Sequence, residues 1–171
     1  MAEELQLAQQ IVHDADYVRL RTLSRSMATR LGDRGYAATD LARAAREGRL
    51  ADVADMMGLS VGELMLADAE LRQAAEVVLQ RYPRISLDAS AILERARARP
   101  TGGAVLEQTA IVGDEIPCDG DECEDDSGCR VIPYLAALAV CTAFGSTPLY
   151  FACALLALCE FCTGGLAALV C

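Results

Sequence analysis

The residues most able to do chemistry in this 171-residue chain are eight cysteines: Cys118, Cys123, Cys129, Cys141, Cys153, Cys159, Cys162 and Cys171. All of them lie in the last 54 residues. Thiols crowded in this way bind a metal, cycle through redox states or cross-link the chain. Cys159 and Cys162 have the C-x-x-C spacing of zinc ribbons and redox enzymes. A structural zinc site usually sits in polar turns and uses two such pairs. Here the neighbours are apolar, no second C-x-x-C exists and the cysteine-bearing region has no His. A thioredoxin-like site needs a βαβ setting, which the pattern lacks. Disulfide bonding is therefore the expected role of all eight cysteines. Their connectivity stays open, and no metal or cofactor is expected.

Other chemistries find no residues. His13, the single histidine, sits among Gln9, Gln10, Asp14 and Asp16 on a polar helix side, which predicts a solvent-facing ring. No Ser/His/Asp or Cys/His set can be built from local spacing, and no glycine-rich loop could cradle a phosphate. The chain reads as a non-enzyme. Residues 114–126 hold eight acidic side chains in thirteen. Asp119 and Asp121 have the opening spacing of an EF-hand loop. Glu124 then replaces the turn glycine and Arg130 the final glutamate, so the calcium template fails and a solvated spacer is expected.

Residues 50–67 fit a helix-turn-helix template, with Ala54, Gly58 and Leu64 at the small, turn and core positions. Its second helix, residues 60–68, has no Arg or Lys and carries Glu63 and Asp68. Such a surface cannot release phosphate counter-ions, so a packing corner is preferred to a DNA reader. Arg43, Arg46 and Arg49 keep DNA as the weaker alternative partner; otherwise no nucleic acid is expected.

The elements that carry these residues fall into two unlike parts. Residues 1–100 contain 14 Arg and 15 acidic side chains, whereas residues 101–171 contain one Arg and ten acids. Nearly all of the formal charge of −10 thus resides in the tail. The spacing predicts an all-α protein. Its N-terminal leader or regulatory domain, residues 1–100, should hold five helices. The first is one long helix over 3–31, with Leu5, Ala8, Val12 and Ala15 in its stripe. A second starts from Thr39, a third covers residues 50–57, and a fourth from Ser60 to Arg81 opens with the capping-box pair Ser60 and Glu63. Pro83 ends the fourth, and the last runs from Ser86 or Asp88 to Arg99.

Residues 101–130 read as an acidic linker that already carries cysteines. Residues 131–171 read as an apolar, Cys-rich core peptide with one charge, Glu160, broken by Gly145-Ser146-Thr147-Pro148. The piece over 131–144 would be about 21 Å long as a helix, short of a hydrocarbon core of ~30 Å. A disulfide-rich helical hairpin that sits on or enters a bilayer is the better expectation. Residues 1–10 lack the basic and apolar regions of a secretory signal. If the cysteines pair outside the cell, another export route is implied.

This order resembles that of gene-encoded peptide antibiotic precursors: helical leader, Gly102-Gly103, cysteine-rich core. In many such precursors a transporter-peptidase cuts after the glycine pair and exports the freed peptide. Asp68-Ala-Glu-Leu-Arg-Gln73 is similar to the D-x-x-L-R stretch of long leaders in ribosomally made, modified peptides. The tail resembles Cys-rich microhalocin-type bacteriocins in Ala-Ala-Leu-Ala-Val-Cys-Thr (136–142). The resemblance implies a cytoplasmic precursor cleaved after Gly103 by a leader peptidase and exporter. It further implies a secreted, disulfide-bonded peptide directed at target-cell membranes, and an N-terminal part that protects the producer. The alternative reading is an intracellular helix-turn-helix-like regulatory or adaptor domain with a membrane-associated tail.

Overall fold

The apolar stripe expected to run unbroken over residues 3–31 is divided in two. In the computed structural model, which describes residues 2–98, 118–119, 122–123, 128–162 and 171, helix α1 spans Ala2–Val12 and α2 spans Ala15–Asp33. Asp14 is the reason. Its backbone is extended and its carboxylate accepts the Asp16 N–H at 2.8 Å, the hydrogen bond of an N-cap. A short polar side chain that bonds its own main chain competes with helix continuation. Ala15, expected in the stripe, is exposed, and burial passes to Ile11, Tyr17 and Leu20.

Three further helices follow: α3 (Ala38–Arg46), α4 (Leu50–Met57) and α5 (Val61–Arg81). Thr39 does not cap α3. Ala37 is its N-cap, and the Asp40 carboxylate reaches back to accept the Ala37 N–H at 3.1 Å. Helix α4 stops at Gly58, whose φ of +66° suits a residue without Cβ. Helix α5 opens with the expected capping box: Ser60 Oγ accepts the Glu63 N–H at 3.1 Å, and the Glu63 carboxylate accepts the Ser60 N–H at 2.7 Å. Pro83 ends α5 and also starts a short helix, α6 (Pro83–Leu87), because proline fits a first helical turn. Helix α7 (Ala89–Ala98) follows. Residues 2–98 therefore hold seven helices where five were expected.

Cys118–Asp119 and Glu122–Cys123 form a two-residue antiparallel ladder, β1 and β2, with Cys118 opposite Cys123. The other described elements are all helical. Helix α8 (Val131–Cys141) and helix α9 (Thr147–Phe161) make an antiparallel-type hairpin joined by residues 142–146. Both are apolar around most of their circumference, and a helix of that kind needs cover on several sides. Helix α9 lies against α3, α2 and α5, while α8 lies against α7, α6, α5 and α1. Four buried alanines of α3, Ala38, Ala42, Ala44 and Ala45, leave room for α9 to approach closely. One continuous core results, with Tyr17, Leu41, Leu64 and Leu71 from the N-terminal helices and Tyr134, Leu135, Phe151 and Phe161 from the hairpin.

Candidate functional site: the stapled hairpin and its holders

Six cysteines are paired at disulfide distance. Cys129 pairs with Cys162, Cys141 with Cys153, and Cys159 with Cys171. The first pair closes the open end of the hairpin, where the Arg130 N–H also donates to the Phe161 carbonyl at 2.8 Å. The second pair closes the end near the turn. The two are nested in sequence, so α8 and α9 are cross-linked at both ends and cannot splay. The C-x-x-C pair does not close on itself, because Cys159 and Cys162 take different partners. The side chains of Cys118 and Cys123 lie outside the described part of the chain, as do the expected cleavage residues Gly102 and Gly103.

The hairpin is short. Helix α9 has 15 residues, which is about 22 Å of helix against ~30 Å of hydrocarbon. Among the described residues no helix is long and apolar enough to cross a membrane.

Polar contacts join the N-terminal helices to this apolar hairpin at four points. The first uses the Asp68-to-Arg72 stretch of α5. Arg72 Nε donates to Asp68 Oδ2 at 2.9 Å, its Nη2 donates to the Ser146 carbonyl at 3.1 Å, and its guanidinium stacks 4.1 Å from the Tyr150 ring centre. Two features of the turn and first turn of α9, the Ser146 carbonyl and the Tyr150 ring, are thereby held by one arginine that Asp68 orients. Burial raises the Asp68 carboxyl above its ordinary value, outweighing the opposing pull of Arg72 and Thr147. Burial likewise pushes the Tyr150 phenol up. Its hydroxyl has no hydrogen-bond partner among the described residues.

The second point is buried: the Tyr134 hydroxyl of α8 lies 2.7 Å from Ser24 Oγ of α2. Ser24 in turn donates to the Leu20 carbonyl at 3.0 Å. At the third, the single charge of the apolar tail is met by a forked arginine. Arg97 Nε and Nη2 lie 2.6 and 3.2 Å from the two Glu160 carboxylate oxygens. This pair is exposed, and such pairs contribute ~0–1 kcal/mol. The fourth is Arg130, almost fully buried, with Nη2 3.4 Å from the Ala96 carbonyl and its guanidinium 5.7 Å from the Phe161 ring centre. Ala96 lies in the last turn of α7, where carbonyls lack helical partners and a cation complements the helix dipole.

Of the residues singled out from sequence, Asp68 and Arg72 thus meet the hairpin turn. Ser24, Arg97 and Tyr134 carried no local signal of this role, since each meets the other half of the chain through a partner more than sixty residues away. His13 is exposed. Helices α4 and α5 do form a corner at Gly58. The exposed start of α5 presents Val61, Met65, Leu66 and Glu63, an apolar and acidic surface. No protein-family model, curated protein or solved structure matches the chain.

Proposed function

We propose that this chain is the precursor of a secreted, Cys-rich antimicrobial peptide that acts on membranes, freed by cleavage after Gly103. One observation carries the reading. The tail's apolar hairpin is sheltered by the leader-side helices, with Leu135, Leu138, Phe151 and Phe161 fully or almost fully buried. A free peptide made of such helices would aggregate or insert wherever it was made. Covering it with α2, α3, α5 and α7 keeps that surface from water until the chain is cut. The nested cross-links then let the hairpin act as one closed unit after release. Val140 and Phe144, at the turn end, remain about two-fifths exposed and would meet a bilayer first. In this role the chain is no enzyme; its partners are a leader peptidase with its exporter and the target-cell membrane.

The reading is tested by intact-mass spectrometry of culture supernatant from producing cells. The expected species is residues 104–171 lighter by eight hydrogens, all thiols being oxidised. Replacing the junction with Gly102→Val plus Gly103→Val should leave the full-length chain inside the cell. Normal export and trimming of that variant would end the proposal.

A further inference from the structure

Cys159 and Cys162 stand one turn apart at the C-terminal end of α9, yet each is bonded to a different cysteine. Cys162 is the C-cap, and its N–H still donates to the Leu158 carbonyl at 3.0 Å. That hydrogen bond keeps the last turn helical, which puts the Cys159 and Cys162 Cα atoms about 5 Å apart. Disulfides span Cα separations of about 4.4–6.8 Å. Cys159 therefore has two cysteines within bonding range: its present partner Cys171 and its own helix neighbour Cys162.

The two pairs differ in access. Cys171 is exposed and Cys159 half-buried, whereas Cys129 and Cys162 are 1% and 6% exposed. Thiol–disulfide exchange needs a path for the attacking thiolate to reach sulfur. A thiol in solution therefore meets Cys171 and is kept from the Cys129–Cys162 pair. We propose that Cys171 is an entry site for a low-molecular-weight monothiol, and that Cys159 relays the exchange to Cys162 and opens the buried Cys129–Cys162 staple. In the first step the external thiolate attacks Cys171 Sγ, forms a mixed disulfide there and expels Cys159 as a thiolate. In the second, Cys159 Sγ attacks Cys162 Sγ. The Cys159–Cys162 bond forms, the Cys129–Cys162 bond breaks, and Cys129 leaves as a thiolate that takes a proton from water. One thiol enters and one thiol remains, and two disulfides replace two, so no oxidant or reductant is consumed. Cys129 directly precedes the N-cap of α8, a position that favours a departing thiolate. The hairpin is then closed only at its turn end, by Cys141–Cys153. This relay needs no cleavage of the chain and does not rest on the proposed function.

The test exposes the full-length oxidised chain to glutathione, quenches with acid and alkylates free thiols with iodoacetamide. Linkages are then mapped by mass spectrometry after digestion without reduction. The expected early product carries glutathione on Cys171, a Cys159–Cys162 bond, an alkylated Cys129 and an intact Cys141–Cys153 pair. Cys159→Ser plus Cys171→Ser leaves no thiol at either relay position, so its Cys129–Cys162 pair should open about tenfold more slowly than in the parent. Cys171→Ser alone should do the opposite. It frees Cys159, so the Cys159–Cys162 bond and a free Cys129 should appear with no glutathione added, a gain that mere unfolding would not direct to one pair. Cys129 alkylated as fast in the double variant as in the parent, or a Cys171→Ser chain that keeps Cys129–Cys162 beside a free Cys159, overturns the proposal.

Discussion

Asp14 and Asp68 are both buried carboxylates beside an arginine, yet they lean in opposite directions. At Asp14 burial works to raise the carboxyl, but Arg81, the Tyr82 hydroxyl and the Asp16 N–H together hold it below its ordinary value. At Asp68 burial wins. The signs of their pH effects follow. Asp14 contributes stability above the unfolded value of about 3.8, and this is lost as pH falls through its lower folded value. Asp14→Asn keeps a capping oxygen but loses the charged partner of Arg81, so it should cost no more than about 1 kcal/mol near neutrality, and the deficit should shrink on acidification below pH 4 in denaturant titrations. Asp68 contributes below its unfolded value and loses that contribution as pH rises through its higher folded value. The stability of Asp68→Asn relative to the parent should accordingly improve between pH 4 and pH 7. Removing the other partner is more damaging. Arg72→Ala leaves the Asp68 carboxylate buried without its cation and frees the hairpin turn, which should cost about 3 kcal/mol or more. Arg97→Ala, which breaks an exposed pair, should cost no more than ~1 kcal/mol. Thermal denaturation of the two variants side by side would expose the difference, and equal losses would mean that Arg72 holds nothing.

At the scale of elements, the contact between α3 and α9 rests on small side chains. Ala44 is fully buried, so Ala44→Leu should over-pack the core around α3 and cost about 1–3 kcal/mol. The cross-links give a sharper expectation. Digestion without reduction should release peptides joined 129–162, 141–153 and 159–171, and any other pairing among these six would contradict the hairpin geometry. The elements differ in how far they could be read from sequence. The Ser60–Glu63 capping box and the Gly58 stop were legible because each is local chemistry within four residues. The break at Asp14 was not. The apolar spacing on either side is continuous, and Asp14 is also held by Arg81 and Tyr82, which approach from the end of α5. The same holds for Pro83, legible as a stop for α5 and not as the start of α6. For the hairpin, composition predicted two apolar helices with a turn. That they would be covered by the N-terminal helices could not be read, because no pattern in α3 or α9 alone states which partner its small or apolar face meets.

For the molecule as a whole, the shared core couples the two compositional halves. With the hairpin removed, Leu41, Ala44, Leu71 and Leu93 lose part of their cover. Residues 1–100 expressed alone should keep their helical circular dichroism, yet bind hydrophobic dyes and melt with less cooperativity than the full chain. A sharp, dye-silent melt would show that they fold to the same state unaided. On the proposed function, the same coupling means that membrane activity should be hidden in the intact chain and appear in the freed peptide. Dye release from anionic vesicles compares them directly, using the intact oxidised 171-residue chain and the oxidised peptide of residues 104–171. The expected result is leakage from the peptide at concentrations where the intact chain is silent. Leakage from the intact chain equal to that from the peptide, or an inert peptide, would contradict the sheltering of the hairpin by the N-terminal helices.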